Sequence, residues 1–108
     1  MELTELIQNN EVWTLKPIGE IHAKTAPEMW HFDSVETLAG ELAKANVESL
    51  IIDLSETTFM DSHGLRLLIN ARKTFNEHNL QVTLRNPNPH ISRLFKLMRL
   101  EGIYTIEP

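Results

Sequence analysis

Asp61-Ser62-His63-Gly64-Leu65 is the stretch whose residue types and spacing could support chemistry. A carboxylate, a hydroxyl and an imidazole stand on consecutive positions, and Leu65, Leu68, Arg72 or Ala71, and Phe75 follow at helical spacing. Ser62 therefore falls at the start of a predicted helix, where unpaired backbone N–H groups and the helix dipole favour negative charge. A phosphate on Ser62 would add about −1.5 to −2 charges at neutral pH beside Asp61, without requiring the helix to melt. Ser and Asp are also ordinary helix caps. The pattern alone thus fits both a modification site and a structural helix start.

Other chemistries find little support. Ser62 beside His63 does not make a nucleophile and base, because neighbours at a helix start point in different directions and no Gly-x-Ser-x-Gly elbow is present. The residues offer no catalytic constellation, so the reading is not an enzyme. His22, His31, His63, His78 and His90 show no metal-ligand spacing, and no metal is expected. Gly19, Gly40, Gly64 and Gly102 are too scattered for a phosphate-cradling or dinucleotide loop, so no cofactor is expected. Trp13 and Trp30 read as core or edge packing, and Phe59 as buried.

The elements that must position Ser62 begin with Ser49-Leu50-Ile51-Ile52-Asp53-Leu54, a short apolar run that reads as a central strand covered on both faces. The functional loop is then Thr57 to Gly64, beyond the carboxyl end of that strand, where ligands and partners meet open α/β sheets. Upstream, Glu2 to Gln8 and Val12 to Pro17 form a predicted hairpin about Asn9-Asn10, with Pro17 marking a strand end or edge and Ile18 to Ile21 a short continuation. Thr25-Ala26-Pro27 starts a helix that either runs on to Ala45 or restarts at Ser34, and Asn46 ends it.

Downstream, the helix from Ser62 ends near Glu77-His78-Asn79, and Leu80 to Leu84 alternates as a strand. Asn86-Pro87-Asn88-Pro89 is a loop. Ile91, Leu94, Phe95 and Met98 share a helical face that Leu97 and Leu100 extend, Glu101-Gly102 ends that helix, and Ile103 to Ile106 is a last strand. The order ββαβαβαβ predicts an α/β fold, a mixed sheet with helices packed on it.

Residues 1–108 form one domain, since 108 residues suffice for one core and not for two. An apolar fraction of 42 % with 23 % charged residues excludes general disorder. No apolar run is long enough to span a membrane, no signal segment opens the chain, and cysteine is absent, so the expected location is the cytoplasm. Charge is uneven: positions 1–54 carry 10 acidic and 3 basic side chains, positions 55–108 carry 5 and 7. The overall acidity and the lack of interleaved aromatics argue against direct nucleic-acid binding.

Ile51-Ile52-Asp53-Leu54 followed by Phe59-Met60-Asp61-Ser62-His63-Gly64-Leu65 resembles the signature of STAS domains, the bacterial anti-sigma factor antagonists. Gly19-Glu20-Ile21 and Thr25-Ala26-Pro27 resemble that family's early Gly-Glu-Leu-Asp segment and first helix, and the later elements come in the family's order. The resemblance implies a STAS-like domain over 1–108 that acts as a switch. An anti-sigma factor serine kinase would phosphorylate Ser62, a cognate phosphatase would reverse the mark, and the unphosphorylated chain would capture the kinase. Thr58, Met60, Asp61, Ser62, His63, Gly64 and Arg66 would form the partner-binding surface.

His22 stands where the family often has Asp, and His63 replaces a common second Ser. Ser55, Thr57 and Thr58 are secondary candidate acceptors. An alternative within the same resemblance is a scaffold subunit of a lipid-transport or other membrane-associated complex, without phosphoregulation.

Overall fold

The hairpin forms first in the chain and sets one edge of the sheet. In the computed structural model, which describes residues 3–108, β1 (Leu3–Asn9) runs antiparallel to β2 (Val12–Ile21), with Asn9 opposite Val12. That register leaves Asn10 and Glu11 as a two-residue turn, and Asn10 takes φ 53°, a conformation asparagine tolerates better than most residues. Glu2, read as the start of the first strand, lies outside the described residues.

Pro17 does not end a strand. It lies inside β2, opposite Thr4. Ahead of it, Val12–Leu15 pairs in parallel with β3 (Ser49–Asp53); beyond it, Gly19–Ile21 pairs in parallel with β4 (Thr57–Met60). Pro17 thus occupies the gap where β2 changes partners, and there its missing N–H breaks no parallel ladder. Gly19, with φ 97°, makes the accompanying irregularity, and its N–H donates to the Glu56 carbonyl at 2.9 Å.

The rest of the sheet is parallel, with β3 beside β5 (Gln81–Arg85) and β5 beside β6 (Thr105–Glu107). The order is β1-β2-β3-β5-β6, with β4 attached to the far half of β2. β4 lies within the stretch from Thr57 to Gly64 that the sequence marks as a loop. Two polar threonines ahead of Phe59-Met60 leave a burial pattern in which only Thr57 and Met60 point inward.

β3 is covered on one face only. Leu50 and Ile52 are buried beside Trp13 and Leu15 of β2 and Val82 and Leu84 of β5, whereas Ile51 and its neighbours Thr14 and Thr83 on the opposite face are half-buried. The helices lie against the first face, so the apolar run overstated the second.

The first helical region is broken. A short 3-10 helix (Ala26–Trp30) ends at His31, which has φ 71°, and α1 (Val35–Lys44) starts afresh with Ser34 accepting from the Thr37 N–H. α2 (Ser62–Glu77) places Leu65, Leu68, Ala71 and Phe75 in the core, where Trp30 meets Phe75 edge to face at 5.8 Å. α3 (Pro89–Leu97), capped by Asn88, is shorter than its apolar run: Arg99 adopts φ 56° and a 3-10 turn (Leu100–Gly102) leads to β6. Tyr104 is buried, and its hydroxyl donates to the Leu68 carbonyl, fastening α2 to the end of the chain.

Candidate functional site

Two parallel strand ends meet beneath the start of α2. β2 stops at Ile21 and β4 at Met60, paired side by side, and the Asp61 N–H donates to the Ile21 carbonyl at 3.1 Å. Asp61 then turns the chain into the helix: its Oδ1 accepts from the His63 N–H at 2.9 Å and the Gly64 N–H at 3.2 Å. Burial by itself works against the charged carboxylate, but these two N–H donors and the His63 ring outweigh it and hold Asp61 below the ordinary aspartate range. The His63 Nδ1 lies 3.5 Å from Asp61 Oδ2. Asp61 is therefore the cap, and Ser62 is free of that task.

Ser62 is the first residue of α2 and is exposed. Thr58, His63 and Arg66 are exposed as well, so with the half-buried Asp61 they share the surface around it. Met60 and Gly64 do not belong to that surface. Met60 is 0 % exposed and Gly64 is buried, because this is the point of closest approach between helix and sheet: a Cβ on Gly64 would come within 2.6 Å of Ile21 Cγ2 and 3.0 Å of Met60 Cγ. Their place is underneath, setting the height and tilt of the helix start.

Thr57, a secondary candidate acceptor, is also buried, and its hydroxyl donates to the Pro17 carbonyl at 2.9 Å. That bond bridges β4 to the strand switch in β2 and removes the hydroxyl from the surface. Ser55 and Thr58 remain exposed. His22 lies at the end of β2 in a tight turn, where its N–H donates to Thr25 Oγ1 at 2.9 Å while that hydroxyl donates to the Glu20 carbonyl.

Phe59 is 38 % exposed and stacks on His90 of α3, ring centres 5.4 Å apart, rather than being buried. Between α2 and α3 runs an apolar cleft of about 250 Å³ lined by Leu65, Ile69, Leu94, Leu97 and Met98, with Ser62 and Arg66 at its rim. Met98, on the apolar helical face read from the sequence, and Leu97, which extends that face, are 49 % and 72 % exposed. The available signal was the breadth of the apolar arc in α3, wider than one helix face can bury. Among the described residues no cluster of His, Asp or Glu is arranged to hold a metal, and no helix is long and apolar enough to cross a membrane.

The fold is shared with known proteins. The STAS domain family matches residues 4–108. A curated relative, the anti-sigma-B factor antagonist of Staphylococcus epidermidis, is 23 % identical over 99 residues, covering 92 % of this chain and 86 % of its own length. An anti-sigma factor antagonist from Mycobacterium paratuberculosis superposes with a TM-score of 0.69 at 26 % identity, over 97 % of this chain and 84 % of that one. The Bacillus cell fate determinant SpoIIAA in its phosphorylated form superposes with a TM-score of 0.68 at 18 % identity, over 95 % and 89 %. With that match spanning nearly the whole sequence and a six-stranded mixed sheet carrying three helices, the chain belongs to the STAS domain family.

Proposed function

We propose that this protein is an anti-sigma factor antagonist that works as a phosphoswitch in the cytoplasm. Unphosphorylated, it binds an anti-sigma factor serine kinase; phosphorylated on Ser62, it releases that kinase, and a phosphatase restores it. The observation that carries the reading is the placement of Ser62: an exposed hydroxyl on the first residue of α2, relieved of capping by Asp61. The names of the relatives and the phosphorylated state of the similar SpoIIAA structure support it.

The physics of the position suits a switch. The Ser62 hydroxyl oxygen would form the new P–O bond to the terminal phosphorus of a nucleoside triphosphate held by the kinase, its proton leaving to a base and the nucleoside diphosphate departing. The product dianion stands at the positive end of the helix dipole, so the fold tolerates it. The docking surface, by contrast, gains about −1.5 to −2 charges at neutral pH. A partner side chain complementary to a neutral hydroxyl then meets a hydrated anion that must be stripped of water or left unpaired.

The test is peptide mass spectrometry on the protein from its own cells in several growth states, with a phosphatase-treated control, followed by binding of Ser62→Ala and Ser62→Asp to the kinase. Growth-dependent phosphate on Ser62 and tighter binding by Ser62→Ala are expected. Equal binding by Ser62→Asp and the unmodified protein would replace the switch with a constitutive scaffold.

A further inference from the structure

We infer that the cleft between α2 and α3 is the second half of the docking surface, and that it receives an amphipathic, acid-flanked helix of the anti-sigma partner. This rests on the proposed function for the identity of the partner; the shape and charge of the occupant come from the cleft itself. Leu65 and Ile69 stand one turn apart on α2, and Leu94, Leu97 and Met98 face them from α3. Two walls of apolar side chains at helical spacing accept a third helix by its apolar stripe. Leu97 and Met98, 72 % and 49 % exposed, are adjacent large apolar side chains left in water, a costly arrangement unless something covers them.

The charge around the cleft selects the occupant. Arg66 is at its rim, Arg93 lies one helical turn before Leu97, and Arg99 follows Met98; all three are exposed. Among the described residues none of them is in an ion pair. No acidic residue lies in α3, and in α2 the first is Glu77 at the far end. Asp61, the nearby carboxylate, already accepts two backbone N–H groups. The cleft is therefore an apolar floor with Arg66 among its lining residues and the exposed Arg93 and Arg99 next in the chain to Leu94 and Met98, in a chain that is acidic overall, and it complements an apolar stripe edged by Asp and Glu.

Ser62 stands on the same rim as Arg66, four residues and one helical turn away. A phosphate there has an unpaired guanidinium within reach on its own helix. Phosphorylation would then both add negative charge at the mouth of the cleft and withdraw Arg66 from the partner's acids. Release of an acid-flanked helix follows from both effects.

The experiment takes the serine kinases encoded by the source organism, purified, and measures which of them binds the full unphosphorylated chain by calorimetry; the binder is the probe. Leu97→Asp and Arg66→Glu are then compared with the parent chain, at low and high salt, with thermal melts as a folding control. The expected result is a loss of roughly tenfold or more in affinity for Leu97→Asp, a smaller loss for Arg66→Glu, and a salt dependence weakened by Arg66→Glu, with melting points unchanged. Because both side chains are largely in solvent, folding is expected to survive; Leu97→Ala repeats the test if Leu97→Asp melts early. A kinase that binds the parent and both variants alike overturns the cleft and leaves the phosphoswitch standing. If no kinase binds at all, both readings fall. A concentration-dependent dimer abolished by Leu97→Asp, seen by sedimentation, would assign the cleft to a second copy of the chain and overturn the helix.

Discussion

Gly64→Ala is expected to destabilise the protein although it places the best helix former inside a helix. Ala at this position would gain up to about 1 kcal/mol of helix propensity over Gly. Against that, its Cβ would lie 2.6 Å from Ile21 Cγ2 and 3.0 Å from Met60 Cγ, and both neighbours are 0 % exposed. Met60 can bend away, since methionine is flexible, but Ile21 is β-branched, stiff at χ1, and paired with Met60 on β4. Overpacking of this kind costs about 1–3 kcal/mol, so a net loss of about 1–2 kcal/mol is expected. Urea unfolding reads it directly: with a slope of about 1–3 kcal/mol/M, the midpoint falls by roughly 1 M while the slope stays fixed.

The cost lies in the contact between the new Cβ and Ile21, and a double-mutant cycle isolates it. In an Ile21→Ala background the obstructing methyl is gone, and Gly64→Ala is expected to cost much less or to stabilise. A Gly64→Ala protein as stable as the parent, or costs that simply add in the double mutant, would refute the close-approach argument. It would also remove the reason given for the position of Ser62, since the glycine lets the helix start sit directly on the ends of β2 and β4.

Asp61→Ala is expected to lose about 1 kcal/mol at neutral pH through the missing cap. Because Asp61 is held below its unfolded value near 3.9, that contribution is complete above about pH 4 and fades as pH falls further through the depressed folded value, so pH-dependent melts of the two proteins should converge in acid. Tyr104 is the sole tyrosine, and burial pushes its ionisation well above the ordinary value; absorbance titration should show no tyrosinate near pH 10 until the protein unfolds, when the signal appears at once. Thr57→Val should cost about 1–2 kcal/mol in chemical denaturation by leaving the Pro17 carbonyl without its hydroxyl partner. Thr57 should carry no phosphate in peptide maps of the folded protein even when Ser62 is fully modified.

Periodicity and turn chemistry made much of the fold legible. The hairpin about Asn10, the helix beginning at Ser62, the restart at Ser34 held open as an alternative, and the stop at Asn46 all follow from local signals, because asparagine with φ near 55° and a polar cap act within a few residues of themselves. β4 was not legible. Its four residues bury only Thr57 and Met60, and what makes them a strand is the far end of β2, nearly 40 residues away in the chain. The exposure of Phe59 was equally out of reach, since an apolar side chain looks the same in sequence whether a neighbour covers it or not, whereas the apolar arc of α3 is already wider in sequence than one helix face can bury.

The candidate site divides along the same line. The sequence by itself determined that a hydroxyl stands at a helix start next to a carboxylate, and the Asp61-Ser62-His63-Gly64-Leu65 run placed it in a family. Tertiary structure decided what each member does: Asp61 caps, Ser62 and Arg66 face solvent, Met60 and Gly64 lie beneath, Thr57 is spent on Pro17, and α3 supplies an apolar wall the motif does not contain. The physical reason is range. Caps, turns and helix dipoles act over one turn of chain and are written locally, whereas burial and clefts depend on which distant segments pack together, and only the folded chain contains that information.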